Sequence, residues 1–249
     1  MLAELRMKLE TDKPGFSYYQ SSNMQGVLMQ MIDGSYADYL HMQGLNPYSQ
    51  YIVSGEENEW VVKTLTQEAF HSIIQPLLEE TFTAFTIEKK DIHVKISKKT
   101  LKTIEKQELL DRFYQNEYHR YIDLEFLTPT AFKSNGRYVI LPDVRYIFQS
   151  LMNKYGVSSP DMEMYDEETL EQLVQNSNII RYKLKSVYFP MEGIKIPSFK
   201  GELSIKVNGT ATMAKYAQLL TDFGEYSGIG IKTAMGMGGV RRKPACAHR

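Results

Sequence analysis

The most informative segment lies near the end of this 249-residue chain and reads Gly228-Ile229-Gly230-Ile231-Lys232-Thr233-Ala234-Met235-Gly236-Met237-Gly238. Its glycines follow the spacing G-x-G, five residues, G-x-G. A dinucleotide-binding fingerprint would need a glycine where Thr233 stands, a strand before it and a helix after it. Here the pattern predicts a helix over 213–223 before the segment and a strand over 236–242 after it. A Walker loop would need a glycine directly before Lys232, where Ile231 stands. Both nucleotide-binding folds are therefore excluded.

Two interpretations of the segment remain open. Glycines permit positive φ and let backbone N–H groups approach a phosphate closely, so a flexible loop could bind a polyanion with the help of Lys232 and Thr233. The other interpretation is a turn whose glycines serve tight packing.

The rest of the chain predicts a repeated order of elements. Apolar alternation and helical spacing predict a strand over 2–10, helical segments over 23–32 and 36–42, strands over 48–54 and 59–66, a helix over 67–80 and strand-like residues over 82–97. After a lysine-rich helix over about 99–118, the pattern gives a strand over 121–128, helices over 144–155 and 166–175, and strands over 179–189 and 201–207. The order β-α-β-β-α-β thus occurs twice. It predicts an α+β fold of two tandem ferredoxin-like (RRM-like) domains, which we place at residues 1–118 and 119–249.

The composition is that of a folded protein, with 43% hydrophobic and 24% charged residues. Cys246 is the only cysteine, so one chain can form neither a disulfide nor a cysteine-based metal site. The N-terminus does not read as a signal peptide, and no run of apolar residues is long enough for a membrane span. We therefore expect a cytoplasmic protein with no cofactor, metal or membrane contact.

The net charge of −1 conceals an asymmetry along the chain. Residues 181–249 hold twelve Lys or Arg against four Asp or Glu, which gives this segment a net charge of +8. The acidic stretch 161–171 contains no basic residue. A localised basic segment indicates a surface for a polyanion, although lysines on the wet face of strands would give the same count.

Three further stretches accompany the glycine-rich segment. These are Tyr39-Leu40-His41, the run F-L-T-P-T-A-F over 126–132 with Leu141-Pro142 following, and P-S-F-K-G over 197–201. Together they resemble the RAMP superfamily of CRISPR systems, and within it the endoribonucleases that process CRISPR repeats. The resemblance implies two tandem ferredoxin-like domains, recognition of a repeat in precursor CRISPR RNA, and one metal-independent cut.

RNA can be cut without a metal when its 2′-OH attacks the adjacent phosphate, which leaves a 2′,3′-cyclic phosphate and a 5′-OH. The step needs a base, an acid and positive charge near the phosphate, and histidine suits the proton transfers. The resemblance implies that His41 is the general acid or base. Relatives complete the site with a tyrosine and a lysine, but residues 42–51 contain no Lys or Arg. Tyr36, Tyr39 and Ser49 are therefore candidate partners of His41.

The candidate RNA-binding residues are Gly228, Gly230, Lys232, Thr233, Gly236, Gly238, Lys200 and Arg137. Arg241, Arg242 and Lys243 either follow an RNA backbone or form a solvated basic tail. Base stacking on a sheet is not expected, since the sequence contains no RNP-like pattern.

Two other functions remain open. The chain could be a non-catalytic RAMP subunit that holds guide RNA in an effector complex, which the missing lysine near His41 favours. It could also be an unrelated ferredoxin-like binding module. The expected partner is precursor CRISPR RNA, effector subunits are left open as further partners, and monomer and homodimer are left open as assembly states.

Overall fold

A computed structural model describes residues 1–114, 118–158, 166–191 and 193–243. The first half folds, in chain order, into β1 Leu2–Thr11, α1 Ser21–Met31, α2 Gly34–Met42, β2 Tyr48–Val53, β3 Asn58–Thr64, α3 Gln67–Ala69, α4 Gln75–Leu78, β4 Ala84–Ile87, β5 Ile92–Ile104 and α5 Lys106–Tyr114. A π-helical turn, Phe70–Ile74, joins α3 to α4. The strands form an antiparallel sheet in the order β2-β3-β1-β5-β4.

The second half follows the same plan. It folds into β6 Tyr121–Thr130, β7 Phe132–Ser134, β8 Arg137–Val139, α6 Val144–Ser158, α7 Glu167–Gln175, β9 Ser177–Met191, β10 Ile194–Val207, α8 Ala211–Ser227 and β11 Val240–Arg242. Its main sheet has the order β11-β6-β10-β9, and β7 pairs with β8 in a separate hairpin. Without the added edge strand β4, both sheets place their first and third strands in the centre. The prediction of two ferredoxin-like units is confirmed.

The period of the apolar residues explains each core. Along β1 every second side chain, from Ala3 to Leu9, is buried against α1, whose own buried residues Met24, Val27 and Leu28 recur at helical spacing. The second core collects residues of β6, β10, α6 and α8 in the same way.

The lysine-rich helix predicted over 99–118 is wrong in its first part. Residues through Ile104 belong to β5, and the helix α5 begins only at Lys106. The reason lies in pairing, because β1 runs for ten residues and β5 accompanies it from Val94 to Ile104, with one irregularity at Lys8. The hairpin β7–β8 was missed, and the last strand begins at Val240 rather than at residue 236.

The two halves are joined by a hydrogen bond from the buried Lys63 and by a shared apolar cluster. Lys63 of β3 is 3% exposed, and its Nζ lies 2.8 Å from Glu4 Oε2 and 2.6 Å from the carbonyl oxygen of Glu225 in α8. Burial opposes the charge of Glu4, but Lys63 and Arg6 together lower its pKa to about 2. Leu2 and Phe223 belong to the shared cluster. The boundary at residue 118 stays a prediction; it falls between α5 and β6.

Candidate functional site

A cleft of about 650 Å³ lies between the two halves. The first half supplies Gln25 of α1 and the loop 44–46 that follows α2. The second half supplies the β7–β8 hairpin, α6 and residues 230–235 of the glycine-rich segment. Among the described residues that line the cleft are Lys133, Lys154 and Lys232, and none is Asp or Glu. The cleft is therefore a concave, positively charged surface.

His41 lies in the last turn of α2, three residues before the loop that enters the cleft. The helix begins after Asp33, whose side chain accepts hydrogen bonds from backbone N–H groups of the first turn. Tyr36 and Leu40 lie on the inner face of α2 and pack in the first core, whereas the adjacent His41 is exposed. The predicted position of His41 at a helix end is confirmed. It stands outside the described lining of the cleft, and its catalytic role stays a prediction.

The two tyrosines of α2 differ in access to solvent. Tyr36 is buried, its hydroxyl has no hydrogen-bond partner among the described residues, and burial raises the pKa of this phenol. The ring of Tyr39 lies 5.6 Å from that of Tyr36 and is 40% exposed. Of the two candidates, Tyr39 is the one whose side chain solvent reaches.

Ser49 of β2 is buried where the halves meet. Its hydroxyl donates a 2.6 Å hydrogen bond to the carbonyl oxygen of Tyr226 in α8. This bond gives Ser49 a structural role in the joint between the halves. A catalytic role for Ser49 gains no support from this position and stays a prediction.

The glycine-rich loop, residues 228–239, is bonded directly to the F-L-T-P-T stretch. Gly238 donates its N–H to the carbonyl oxygen of Pro129 at 3.0 Å, and Ile231 donates to that of Ala131 at 3.0 Å. Across the loop, Ile229 donates to the carbonyl oxygen of Gly238 at 2.9 Å. Two of the motifs on which the resemblance rests are therefore hydrogen-bonded to each other.

The hydrogen bonds of the loop favour the packing interpretation over a flexible loop with open N–H groups. The N–H groups of its spaced glycines all have acceptors within the protein: the carbonyl oxygens of Gly224, Thr233 and Pro129 for Gly228, Gly236 and Gly238, and Ser150 Oγ for Gly230. All four have positive φ, between +68° and +109°. The packing interpretation accounts for these glycines, and a direct RNA contact by Gly228, Gly230, Gly236 or Gly238 stays a prediction.

Lys232 and Thr233 form the part of the loop that reaches the cleft. Lys232 is exposed and has a left-handed backbone, with φ of +56°. Thr233 also lines the cleft, but it is 8% exposed and its methyl group lies close to Gly228 and Gly238. Lys232 is thus the loop side chain best placed to meet an anion.

Arg137 and Lys200, the other two predicted RNA contacts, differ in their position relative to the cleft. Arg137 is exposed at the start of β8, next to Tyr138, which lines the cleft. Lys200 lies on β10, outside the described lining, with its Nζ 5.5 Å from the ring centre of Tyr18. Burial and the charge of Lys185 both lower the pKa of Lys200.

The basic residues at the end of the last strand pair with acids of their own domain. Arg241 contacts Glu125 at 2.7 Å, Lys243 contacts Glu202 at 2.5 Å, and Arg242 pairs with Asp222. Neither sequence interpretation foresaw these pairs. Residues 244–249, with Cys246, and residues 161–165 of the acidic stretch lie outside the described residues.

Sequence reasoning missed two residues of α6 that hold the glycine-rich loop. Ser150 Oγ accepts the N–H of Gly230 at 2.8 Å, and Lys154 donates to carbonyl oxygens of the loop. Both side chains line the cleft. The sequence did contain a signal for Lys154. It lies at helical spacing from the apolar Ile147 and Leu151, on the buried face of α6, where lysine is rare.

Comparison with known proteins bears on this geometry. The family model of the CRISPR-associated endoribonuclease Cas6 matches residues 124–240. A CRISPR-associated endoribonuclease Cas6 of Streptococcus thermophilus is 40% identical over 217 residues, which cover 87% of this chain and 88% of that relative. The chain belongs to the Cas6 family. A Cas6 of Mycobacterium tuberculosis is 35% identical over 248 residues, or 98% of this chain and 79% of that relative.

Solved Cas6 structures share the fold. A Cas6 product complex superposes with a TM-score of 0.80 at 21% identity, covering 98% of this chain and 100% of that one. Thermus thermophilus Cas6 gives a TM-score of 0.72 at 19% identity, with 98% of each chain covered. The resemblance drawn from the sequence motifs is confirmed.

Membership of the Cas6 family identifies the protein as a CRISPR-associated endoribonuclease. The alternative of an unrelated ferredoxin-like binding module is therefore wrong. No helix within the described residues has both the length and the apolar character needed to cross a membrane. The same residues contain no group of three or more His, Cys, Asp or Glu arranged to hold a metal.

Proposed function

We propose that this Cas6 enzyme cuts precursor CRISPR RNA once within the repeat, without a metal ion, by attack of a 2′-OH on the neighbouring phosphate. The observation that carries the proposal is the lining of the cleft. Three lysines face it and no carboxylate does, among the residues described, so the phosphates of an RNA strand would replace solvent counterions there.

The uncharged residues of the cleft suit a nucleic-acid strand as well. The rings of Phe132, Tyr138 and Tyr146 line the cleft together with the lysines. Side-chain amides complete the lining: Gln25, Asn46, Gln149 and Asn153. Aromatic faces stack on unpaired bases, and amides hydrogen-bond to base edges. The cleft therefore has groups for both the backbone and the bases of a single-stranded segment.

The proposed reaction uses His41 for proton transfer. The 2′ oxygen forms a bond to phosphorus as the bond from phosphorus to the 5′ oxygen breaks. A base takes the 2′ proton, and an acid gives a proton to the departing 5′ oxygen. His41 supplies one of these transfers, with Tyr39 as the candidate for the other. Because residues 42–51 provide no cation, Lys232 and Lys133 of the second half are the candidates to stabilise the charge on the phosphate.

An RNA cleavage assay in EDTA tests the proposal. We expect one cut in an RNA that carries the repeat of the associated array and none in a shuffled control of equal composition. Strict dependence on magnesium would overturn the metal-independent mechanism. Repeat binding without any cut would instead favour the non-catalytic RAMP subunit. Monomer or homodimer, and contact with effector subunits, stay predictions.

Replacing Lys232 with Ala should weaken RNA binding and flatten its salt dependence. The exposed ammonium on the cleft wall releases counterions when it meets a phosphate, so the slope of log Kd against log salt should fall by about one. Lys102→Ala, which removes an exposed lysine of β5, is the matched control and should leave the slope unchanged. An equal slope for Lys232→Ala and the wild type would remove the loop lysine from the RNA interface.

A further inference from the structure

Lys154 of α6 is a buried lysine whose ammonium is saturated by backbone carbonyl groups. Its side chain is 5% exposed, and Nζ lies 3.0 Å from the carbonyl oxygens of Gly228 and Gly230 and 3.4 Å from that of Ser227. Three acceptors match the three N–H donors of an ammonium group. The charged side chain therefore fastens the start of the glycine-rich loop to α6.

This charge has no carboxylate partner among the described residues. Several charged groups of the surrounding elements have other partners: Arg145 of α6 pairs with Glu167 and Glu171 of α7, Asp222 of α8 pairs with Arg242, and Glu225 of α8 accepts the backbone N–H of Arg242. On the cleft side, the ionisable side chains in the described lining are those of Lys133, Lys232, Tyr138 and Tyr146, and none is a carboxylate. Burial, without any charged neighbour, lowers the pKa of Lys154 to about 7.

Among the described residues, Lys154 reaches solvent on the side of the cleft, from which a counter-charge can approach. Lys154 lies on its wall, beside Ser150 and the loop it holds. A phosphate seated in the cleft would bring a negative charge towards a cation that is otherwise uncompensated, at a site where low dielectric strengthens the attraction.

We propose that Lys154 is a positioning residue for RNA: its charged form holds the glycine-rich loop and supplies a buried positive charge that an RNA phosphate in the cleft neutralises, so that RNA binding and protonation of Lys154 favour each other. The inference rests on the proposed function, since it requires RNA in the cleft.

The sign of the resulting pH dependence follows from linkage. Below about pH 7 the ammonium of the free protein is already charged, and affinity is constant. Above that pH each binding event must take up a proton, so Kd rises with pH by up to about tenfold per unit. The rise ends at the higher pKa that the complex confers on Lys154.

The test measures Kd for the repeat RNA in a His41→Ala background, so that the RNA is bound but not cut. Between about pH 6 and 9, we expect the parent to lose affinity as pH rises, with uptake of up to about one proton per complex in calorimetry in buffers of different ionisation enthalpy. Lys154→Met should bind weakly with no such slope, and Lys154→Arg, whose charge does not titrate, should also lack the slope. Lys232→Ala should bind less tightly at every pH and should keep the slope of affinity against pH. A slope that persists in Lys154→Arg would overturn the proposal, as would a parent without one.

An RNA-free measurement separates this inference from the proposed function. Between the folded pKa of about 7 and the ordinary value of 10.5, the unfolded chain binds more protons at Lys154 than the folded one. The unfolding equilibrium constant of the wild type should therefore fall with rising pH relative to Lys154→Arg, by up to about tenfold per unit. Parallel curves would contradict a buried, titrating Lys154. A parent protein that binds no repeat RNA would instead sink the proposed function, and with it the RNA part of this inference.

Discussion

Replacing His41 with Ala should reduce single-turnover cleavage of repeat RNA by about 10²- to 10⁴-fold while leaving RNA affinity nearly intact. The His41 imidazole is exposed in the last turn of α2, three residues before the loop that enters the cleft. Its loss removes one proton transfer from the reaction, whereas the lysines that attract the phosphates remain. The measurement is the cleavage rate at saturating enzyme, with Kd determined separately on RNA that lacks the attacking 2′-OH.

His71→Ala is the matched control for this experiment. His71 is likewise an exposed histidine in a helical turn of the first half, and it stands outside the described lining of the cleft. Its replacement should leave the rate unchanged. Added imidazole should restore part of the activity of His41→Ala, because the small base can occupy the vacated space. Full activity of His41→Ala without added imidazole would exclude His41 from the mechanism.

Replacing Gly238 with Ala should lower the free energy of unfolding by about 3 kcal/mol or more. Gly238 has φ of +68°, and a Cβ atom there would lie 2.1 Å from the carbonyl oxygen of Ile229. That contact is with backbone, which cannot rotate away as a side chain would. The loop must therefore shift. This shift disturbs the hydrogen bond from Gly238 to Pro129 of β6 and the hydrogen bond from Ile229 to Gly238 within the loop. Denaturant unfolding gives the loss of stability, and RNA affinity should fall in parallel.

Gly15→Ala separates the packing cost from the conformational cost. Gly15 has φ of +80°, close to that of Gly238, but an added Cβ would meet no atom within 4 Å. This variant should lose only the left-handed penalty of about 1–2 kcal/mol. Equal losses for Gly15→Ala and Gly238→Ala would mean that the tight contact at the loop contributes nothing, contrary to the packing interpretation.

Much of the fold was predictable because each core is built from regular periods. The alternation of β1 and the helical spacing of α1 gave the correct elements, and the second half repeats their order. The stretch through Ile104 was misassigned because its lysines obscured the alternation of β5, whose strand character comes from pairing with β1. Such a pairing is tertiary and leaves only a weak mark in the local sequence.

The candidate site was predictable where a motif marks it. The position of His41 followed from the Tyr-Leu-His motif, and Lys232 from the glycine spacing. The purpose of that spacing was not predictable, because the partners of Gly230 and Gly238 lie about a hundred residues away in β6, its following residues and α6. Lys154 escaped notice for the same reason: in the sequence it is one lysine in a helix, and only the fold places three carbonyl groups around it.

The most direct test of the proposed mechanism uses a repeat RNA with a single 2′-deoxy nucleotide at the cut site, incubated with the enzyme in EDTA. We expect this RNA to bind as tightly as the unmodified one and to remain uncut. The unmodified RNA should give a 5′ fragment ending in a 2′,3′-cyclic phosphate and a 3′ fragment beginning with a 5′-OH. Cleavage of the 2′-deoxy RNA at the same position, with a free 3′-OH on the product, would show that water and not the RNA is the nucleophile, and would contradict the mechanism proposed for His41.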